Sequence, residues 1–272
     1  MSATVIIPAR MAASRFPGKP LATILGKPMI EWVVQRCRLA AVDQVIVATD
    51  SPQIADAVRA FGGDVVLTRA DHENGTSRIA EVAAGLRCDI VVNVQGDEPA
   101  IHPDDINAVI APLRDDPHLP MATLAEQLQT ADDIFNPNIV KVVRAANRHA
   151  LYFSRAPIPY HKHDGMTAPT FPHPETPAYR HVGIYAYRQA FLLEYVAHPP
   201  CDLERIEGLE QLRALHMGGS IYVGDATHSS VGVDTPADVP RAETLLKTIL
   251  GTTTPSPSNQ PMTDDGLTDD PK

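Results

Sequence analysis

The chain has 272 residues, of which 44% are hydrophobic and 21% charged, and its formal net charge is -10. A chain of this size and composition can bury a substantial core as one large α/β domain or two small ones. The acidic balance argues against broad binding to nucleic acid or to an anionic membrane surface, because both need extended basic surface.

Cysteine usage and the apolar runs predict a cytoplasmic protein. Cys37, Cys88 and Cys201 lie far apart without a CxxC spacing, so neither a disulfide framework nor a zinc site built on cysteine is indicated. The first apolar run meets Pro8 before it could form the core of a signal peptide. No apolar run approaches the roughly 18 residues of a membrane helix. We therefore expect no membrane partner.

The first hundred residues alternate between predicted strands and predicted helices. Four short runs rich in Val and Ile have the pattern of parallel strands buried on both faces: TVIIPA, QVIVAT, DVVLT and DIVVNV. Between them, SPQIADAVRAFGG predicts a helix with Ser51 as N-cap, Pro52 at the first position and Gly62 and Gly63 as a stop. MIEWVVQRCRLAA and TSRIAEVAAGL are also predicted helices. This alternation predicts an α/β fold with an open, mostly parallel sheet flanked by helices.

After about residue 118 the pattern becomes richer in strands. MATLAEQL, NIVKVVRA and RHVGIYAYR predict strands of a hairpin or mixed sheet, and SIYVGD and SVGVDT predict two more. ERIEGLEQLRALHMG predicts a helix that ends at Gly218, and PADVPRAETLLKTIL predicts a closing helix. We therefore expect one domain over residues 1–250, with a β-rich substrate and dimerisation portion from about 119 to 230.

Two segments lack the pattern of regular structure. Residues 157–178 are too rich in Pro and His for a helix or strand, and predict a surface excursion or a lid. His161 and His163 in this segment have no third ligand at a useful spacing, so they do not indicate a metal site. Residues 251–272 contain almost no large apolar side chain and are expected to be disordered.

A basic loop follows the first strand. Residues 1–30 contain Arg10, Arg15, Lys19 and Lys27 and no Asp or Glu. Ligands of open α/β sheets bind at the carboxyl ends of the strands, so this loop can wrap a polyphosphate with its N–H groups and cations. Its spacing is neither that of a Walker A loop nor GxGxxG. From charge alone, a solvated basic loop is an equal alternative.

Two acidic motifs end later strands. NVQGDEP places Asp97 where a Mg²⁺ ion could be held together with phosphate oxygens, the alternative being a plain turn. VGVDTPADV places Asp234 where it could share the same ion. Taken alone, Asp234 is equally suited to cap the last helix, which is predicted to begin near Pro236.

Six motifs, in order, carry a resemblance to a known family. They are VIIPARMAASRFPGKPLATILGKPMI, DHENGTSRIAE, VVNVQGDEPAIHP, YFSRAPIPY, RHVGIYAYR and GVDTPADV. Over about residues 4–248 the chain resembles the 3-deoxy-manno-octulosonate (KDO) cytidylyltransferases. The resemblance implies a nucleotide-diphospho-sugar transferase-like fold and an enzyme that converts CTP and KDO into CMP-KDO and pyrophosphate for lipopolysaccharide assembly. It also implies a Mg²⁺-dependent, cytoplasmic homodimer.

The resemblance also implies roles for individual residues. Lys19, Arg15, Asp97 and Asp234 would be catalytic, and the two aspartates would hold Mg²⁺. The residues implied on the nucleotide side are Pro8, Ala9, Arg10, Arg15, Lys19, Gly75, Thr76 and Gln95. Those implied on the KDO side are Arg78, Gln95, Arg155, His181, Tyr185, Glu210 and Gln211. Asn74 and Ser77 stand where the family usually has Ser and Asp, which removes a carboxylate from the segment associated with the cytosine.

Several of these residues also fit ordinary structural roles. A lone histidine in a strand-like run, such as His181, is more often a core residue than a ligand. Arg155 could pair with a surface acid, although a guanidinium fork also suits a sugar carboxylate. Glu210 and Gln211 lie on a predicted helix, where solvated polar residues are common.

Rival functions follow from the same pattern. One is a related sugar nucleotidyltransferase that activates sialic acid or an amino-substituted KDO. Another is a sugar-nucleotide-binding regulator without catalysis. The presence of Lys19, Asp97 and Asp234 counts against the regulator, because a binding module does not need metal-binding carboxylates.

Overall fold

A mixed β-sheet, nine-stranded among the described residues, forms the centre of the chain in the computed structural model, which describes residues 1–12, 15–160, 162, 178–228 and 231–251. The strands are β1 (Ala3–Ala9), β2 (Thr23–Ile24), β3 (Lys27–Pro28), β4 (Gln44–Thr49), β5 (Asp64–Leu67), β6 (Ile90–Asn93), β7 (Met121–Gln127), β8 (Lys141–Arg144), β9 (Ala150–Ser154), β10 (Tyr179–Arg188) and β11 (Ile221–Asp225). The helices are α1 (Met29–Cys37), α2 (Pro52–Ala60), α3 (Gly75–Ala84), α4 (Pro103–Asp115), α5 (Ala131–Phe135), α6 (Gln189–Ala197), α7 (Asp202–Glu207), α8 (Gln211–His216) and α9 (Val239–Ile249).

The main sheet has a parallel half and a mixed half. Its strand order is β11-β7-β10-β6-β1-β4-β5, in which β6, β1, β4 and β5 are all parallel. β10 runs antiparallel to both β6 and β7, and β11 runs parallel to β7. β8 pairs with β10 and forms a hairpin with β9, while β2 and β3 form a separate ribbon. The predicted α/β fold is therefore present, with the change to mixed pairing in the second half.

Helices cover both faces of the sheet because successive residues of a strand point to opposite sides. All of β1 is buried. Ile7 packs on the face covered by α1, α2 and α4, together with Val33, Ile54 and Ile106. Ile6 packs on the opposite face, with Ile79 of α3, Leu192 of α6 and Leu212 of α8. This double burial explains why β1, β4 and β6 are continuous runs of apolar residues. The burial predicted for DVVLT is wrong, because β5 lies at the edge of the sheet and Leu67 is 52% exposed.

The helix punctuation predicted for α2 is confirmed. The Ser51 hydroxyl accepts a hydrogen bond from the Ile54 N–H at 3.4 Å, and Pro52 is the first residue of the helix. After α2 ends, Gly62 has a φ of 74°, a conformation that glycine adopts without strain.

Two predicted elements also differ from the structure in their secondary structure. The segment predicted as one helix over residues 204–218 forms α7 and α8, because Gly208 takes a left-handed φ of 62° between them. The described part of SVGVDT is not a strand. There the Asp238 carboxylate accepts hydrogen bonds from the N–H groups of Asp234 and Thr235, and this local turn replaces strand pairing.

Three segments of interest lie outside the described residues. They are residues 252–272, which include nearly all of the predicted disordered tail, residues 161 and 163–177 of the Pro- and His-rich loop, and residues 229–230. Among the residues that are described, no helix has both the length and the apolar character needed to cross a membrane.

A buried lysine organises the β-rich portion. Lys141 is fully buried, and its ammonium donates hydrogen bonds to the carbonyl oxygens of Asn136 at 3.0 Å, Ile139 at 2.7 Å and Arg155 at 2.6 Å. Burial lowers the pKa of Lys141, with a smaller contribution from Arg155. The ammonium joins the start of β8 to the residue that follows β9.

We predict that Lys141→Met destabilises the protein by about 3 kcal/mol, because it leaves buried carbonyl oxygens without a donor. Urea unfolding followed by circular dichroism measures the change. Lys27→Met, which removes a lysine whose side chain is 38% exposed, is the control and should cost at most about 1 kcal/mol. Equal unfolding midpoints for Lys141→Met and the wild type would show that the three hydrogen bonds do not stabilise the fold.

Candidate active site

A pocket of about 300 Å³ lies at the carboxyl ends of β1 and β6, beside the first turn of α3. The basic loop after β1, the segment after β6 and the segment before α9 close its sides. Its lining residues are Pro8, Ala9, Arg10, Arg15, Lys19, Pro20, His72, Asn74, Gly75, Arg78, Gln95, Gly96, Asp97 and Asp234.

Two glycines let these segments approach closely. A side-chain Cβ at Gly96 would lie 2.8 Å from the Pro8 carbonyl oxygen, a distance that side chains do not tolerate. A Cβ at Gly75 would lie 3.1 Å from Cγ of Pro8. Glycine at both positions therefore allows the β6 loop and the start of α3 to contact the end of β1. Gly96 stands inside the NVQGDEP motif, but the sequence does not show what it approaches.

Lys19 is the centre of the charged side of the pocket. Its Nζ lies 2.5 Å from Oδ2 of Asp97 and 3.6 Å from Oδ1 of Asp234. Its side chain is 17% exposed, so little water screens these pairs. Both carboxylates consequently face the same point, although they come from distant parts of the chain.

The basic loop presents Lys19 through a tight turn. Gly18 has a φ of 72°, and its N–H donates to the Met11 carbonyl oxygen at 3.0 Å, which closes the loop. Lys19 then begins a short 3-10 helix, Lys19–Leu21. The more exposed Arg15 reaches Oδ1 of Asp234 through its guanidinium at 3.0 Å.

The two aspartate segments are also joined by their backbones. The Val233 N–H donates to the Asp97 carbonyl oxygen at 2.9 Å. The helical segment after Asp234 has a capping box formed by Thr235 and Asp238, so the Asp234 carboxylate is not its cap. Asp234 instead points its carboxylate at Arg15 and Lys19.

The wall at the start of α3 is held by side-chain hydrogen bonds. The Asn74 side chain caps the helix by accepting from the Ser77 N–H at 2.8 Å. The Ser77 hydroxyl lies 3.1 Å from Nδ1 of His72, whose other ring nitrogen contacts Glu81. His72 also lines the pocket, and it is not among the site residues predicted from the sequence. Its place in DHENGTSR, next to the predicted nucleotide residues, was the available signal.

Arg78 lies in the pocket wall with its charge already partnered. Its residue is 3% exposed, and its guanidinium donates to Oγ1 of Thr68 at 2.6 Å and lies 3.5 Å from Asp50. Gln95 also lines the pocket, and its amide donates to Oδ1 of Asn93 at 3.2 Å. Both residues therefore have polar partners that fix their side chains.

Four predicted site residues form a group behind this wall, which we call the inner cluster: Thr76, His181, Tyr185 and Glu210. The Thr76 hydroxyl donates to Oε2 of Glu210 at 2.7 Å, and burial raises the pKa of that carboxyl group. Nε2 of His181 lies 2.9 Å from Oγ1 of Thr123, and the ring centroids of His181 and Tyr185 are 5.3 Å apart. Desolvation lowers the pKa of His181 to about 3 and raises that of Tyr185 well above its usual value.

The structure does not bring Arg155 and Gln211 to the pocket lining. The Arg155 guanidinium donates to the backbone carbonyl oxygens of Glu207 at 2.7 Å and Pro137 at 2.9 Å. Gln211 is 4% exposed, and its Nε2 has no acceptor among the described residues. Their predicted contact with the sugar stays a prediction.

Comparison with known proteins identifies the family. Residues 4–221 match a family model described as cytidylyltransferase. The chain is 50% identical over 248 residues to the 3-deoxy-manno-octulosonate cytidylyltransferase of Syntrophotalea carbinolica, covering 91% of this chain and 99% of that protein. The chain belongs to the 3-deoxy-manno-octulosonate cytidylyltransferase family. The protein of that name from Geobacter sulfurreducens is 49% identical over 250 residues, covering 91% of this chain and all of the relative.

Solved structures agree with this membership. A CMP:2-keto-3-deoxy-manno-octonic acid synthetase in complex with CTP superposes with a TM-score of 0.85 at 43% identity, covering 92% of this chain and 100% of that one. A 4-diphosphocytidyl-2C-methyl-D-erythritol synthase from Anaerococcus prevotii, at 14% identity and a TM-score of 0.59, covers 90% of this chain and 98% of its own and shares the fold alone. The 3-deoxy-manno-octulosonate cytidylyltransferase family consists of nucleotidyltransferases, so the predicted enzyme class and the predicted fold are confirmed.

We predict that His181 makes the protein sensitive to acid. The unfolded chain binds a proton on this histidine below a pH of about 6.5, whereas the folded chain does not until about pH 3. The free energy of unfolding therefore falls as the pH drops from about 6.5 towards 3. At pH 5 the protonation of this histidine in the unfolded chain lowers the free energy of unfolding by about 2 kcal/mol relative to neutral pH.

Urea unfolding of wild type and His181→Gln at pH 8 and pH 5 measures this effect. Between pH 8 and pH 5, the free energy of unfolding of the variant should fall by about 2 kcal/mol less than that of the wild type. His118→Gln, which removes an exposed histidine, should behave as the wild type does. An identical pH dependence for all three proteins would mean that His181 is protonated in the folded state.

Proposed function

We propose that this chain transfers CMP from CTP to KDO, giving CMP-KDO and pyrophosphate for lipopolysaccharide assembly. The observation that carries this proposal is the convergence of Lys19, Asp97 and Asp234 in one pocket of a fold whose family is known. The names of the relatives supply the substrate class, because they are called 3-deoxy-manno-octulosonate cytidylyltransferases.

CTP would bind with its triphosphate against Arg10, Arg15 and Lys19. These cations line the pocket at the end of β1, where their positive charge suits a polyphosphate. The nucleoside would lie against the remaining nucleotide-side residues, which are Pro8, Ala9, Gly75, Thr76 and Gln95. Asn74 retains hydrogen-bonding capacity near the base, since only its carbonyl oxygen is engaged by the helix cap.

Mg²⁺ fits the donor set of this pocket. Asp97 and Asp234 offer two carboxylates directed at one point, and Mg²⁺ is usually held by one or two carboxylates together with substrate phosphates. When bound there, Mg²⁺ would neutralise phosphate charge and polarise the α-phosphoryl group. The ammonium of Lys19 would then be free to contact the phosphates.

The chain itself would act mainly by positioning and by offsetting charge. The anomeric hydroxyl of KDO must approach the α-phosphorus in line with the departing pyrophosphate. Lys19 and Arg15 would offset charge on the leaving group, and such pre-placed charges contribute most in a pocket with little water. We infer no nucleophilic residue of the enzyme, because the substrate hydroxyl attacks directly.

KDO would occupy the side of the pocket nearest the inner cluster. Arg78 and Gln95 line the pocket, while His181, Tyr185 and Glu210 lie behind α3. Arg155 and Gln211 would contribute only after a rearrangement, and the unpaired amide of Gln211 is a donor that a sugar oxygen could satisfy. The presence of Arg78 and Gln95 in the pocket lining supports this assignment, which for the other residues extends the resemblance.

We also propose that the enzyme is a cytoplasmic homodimer. Cys37, Cys88 and Cys201 are all free, which suits a reducing compartment. Helix α7 carries exposed apolar side chains, with Ile206 81% exposed and Leu203 42% exposed. Such side chains are suited to contact with a second copy.

Pyrophosphate release tests the substrate assignment. Each nucleoside triphosphate is supplied with KDO, amino-substituted KDO, sialic acid or a sugar 1-phosphate. Release with CTP and KDO alone supports the proposal, and release with another acid sugar assigns the chain to a related nucleotidyltransferase. Binding of CTP without release in any combination would favour a regulator.

We predict that Asp97→Asn and Asp234→Asn each lower kcat at least about 10³-fold with the fold retained, because each removes a carboxylate from the metal-binding pair. Steady-state pyrophosphate release at saturating Mg²⁺ measures the loss. Asp202→Asn, which removes a carboxylate that is 91% exposed, is the matched control and should retain activity. Substantial turnover by either variant would remove that aspartate from the metal site.

We predict that Lys19→Met both raises the KM for CTP and lowers kcat by about 10² to 10³, because its charge faces the phosphates in the ground state and in the transition state. Initial rates at varied CTP and fixed KDO separate the two effects, with Lys27→Met as the control. A loss confined to the KM for KDO would contradict the assignment of Lys19 to the triphosphate.

A further inference from the structure

Two histidine rings stack away from the lining of the nucleotide pocket. The rings of His102 and His228 have centroids 3.3 Å apart and planes within 8° of each other. His102 caps the start of α4, and His228 lies shortly after β11. The stack therefore joins the segments that follow the two strands β6 and β11.

A carboxylate completes a set of three metal-ligating groups. One ring nitrogen of His102, one ring nitrogen of His228 and one carboxylate oxygen of Asp104 all lie within 4.8 Å of one another. We propose that His102, Asp104 and His228 form a binding site for a transition-metal dication of the zinc class. This site does not depend on the nucleotidyl-transfer function proposed above.

The donor types decide which metal the site would take. Imidazole nitrogen suits Zn²⁺, Co²⁺, Ni²⁺ and Cu²⁺, whereas Mg²⁺ prefers oxygen ligands. Two histidines with one carboxylate are a frequent protein ligand set for zinc, with a water as the fourth ligand. Asp97 and Asp234 offer oxygen alone, so the two positions select different classes of cation.

The ligand separation is close to what a tetrahedral ion requires. Bonds of about 2.1 Å place tetrahedral ligand atoms roughly 3.4 Å apart, so ligand atoms that lie within 4.8 Å of one another need to close by up to about 1.4 Å. Asp104 can supply part of this movement because its side chain is 65% exposed. The two rings must also tilt out of their parallel stack, because an imidazole nitrogen binds a metal in the plane of its own ring. The carboxylates of Asp104 and Asp105 also offset the positive end of the α4 dipole, which would otherwise oppose a cation.

A buried carboxylate orients one of the rings. Asp105 is 2% exposed, and its Oδ1 accepts hydrogen bonds from the N–H of Thr227 at 3.1 Å and from its hydroxyl at 3.3 Å. Oγ1 of Thr227 lies 2.8 Å from Nδ1 of His228. Histidine ligands of metals usually have such a partner on the second ring nitrogen, which fixes the ring orientation.

The position of the site gives it a structural role. His102 lies shortly after Asp97 in the chain, and His228 lies shortly before Asp234. A metal ion held by both histidines would tie together the segments that carry the two aspartates, in addition to the hydrogen bond from Val233 to Asp97. Metal binding should therefore raise the melting temperature of the protein.

Cobalt absorption spectroscopy tests the site directly. The full chain is titrated with Co²⁺ about one pH unit above the usual histidine pKa, with Mg²⁺ in large excess to fill carboxylate-only sites. We expect one equivalent of Co²⁺ to give the visible bands of a low-coordinate nitrogen-containing site, and Zn²⁺ to displace it. Zn²⁺ should also raise the melting temperature.

Three variants remove the ligands one at a time: His102→Asn, which keeps a capping acceptor for α4, His228→Gln and Asp104→Asn. Each should weaken Co²⁺ binding at least about tenfold and reduce the thermal shift. Asp104→Asn alters an exposed side chain, so its result holds even if a histidine variant folds poorly.

Controls separate this site from others on the chain. His118→Gln and Asp97→Asn should bind Co²⁺ as the wild type does. Wild-type binding no tighter than that of the three ligand variants overturns the proposal. Loss of the signal in a His161→Ala and His163→Ala double variant, with the three ligand variants unaffected, also overturns it.

Discussion

The ion pairs of Lys19 with Asp97 and Asp234 hold the pocket together. One ammonium bridges two carboxylates at 2.5 Å and 3.6 Å, and the partly buried setting strengthens these pairs relative to surface ones. Three segments meet at this point: the loop after β1, the loop after β6 and the segment before α9. Because the cations of Lys19 and Arg15 offset the two carboxylates, like charges can face one pocket before any ligand arrives. In the proposed reaction, a divalent cation would take the place of the ammonium beside the carboxylates, and a polyphosphate would take the place of the carboxylates beside the cations.

The sheet explains why these segments can meet. β1 and β6 are parallel neighbours, so their carboxyl ends lie side by side, and glycine at position 96 lets the second loop pass close to Pro8. The antiparallel strand β10 then enters next to β6 and supplies Tyr185 to the inner cluster. The change from parallel to mixed pairing thus separates a charged region, which suits phosphate and metal, from a largely desolvated one.

Much of the first half could be predicted because its signals are local. Apolar β-branched runs mark β1 and β4, and Ser51 with Pro52 marks the start of α2. Gly208 splits a predicted helix through a left-handed turn. The sequence does not predict α6, because QAFLLEYVA is apolar nearly throughout and has little periodicity.

The contact of Lys19 with Asp97 joins residues 78 positions apart in the chain, so only the strand-end rule and the family resemblance could predict it. Lys141 resembles an ordinary strand residue in the sequence, since no local pattern reveals that its ammonium is buried against three carbonyl oxygens.

The hydrogen bond from Thr76 to Glu210 attaches the inner cluster to the first turn of α3, which borders the pocket. Thr76 lies in the first turn of α3, next to Gly75, which lies close to Pro8 at the end of β1. Glu210 is the residue that precedes α8. Burial favours the neutral form of Glu210, and the Thr76 hydroxyl opposes this by donating to the carboxylate. A shift of α3 that lengthened this bond would therefore favour protonation of Glu210. The carboxyl group of Glu210 is thus held by a hydroxyl group from the first turn of α3, the helix that borders the pocket.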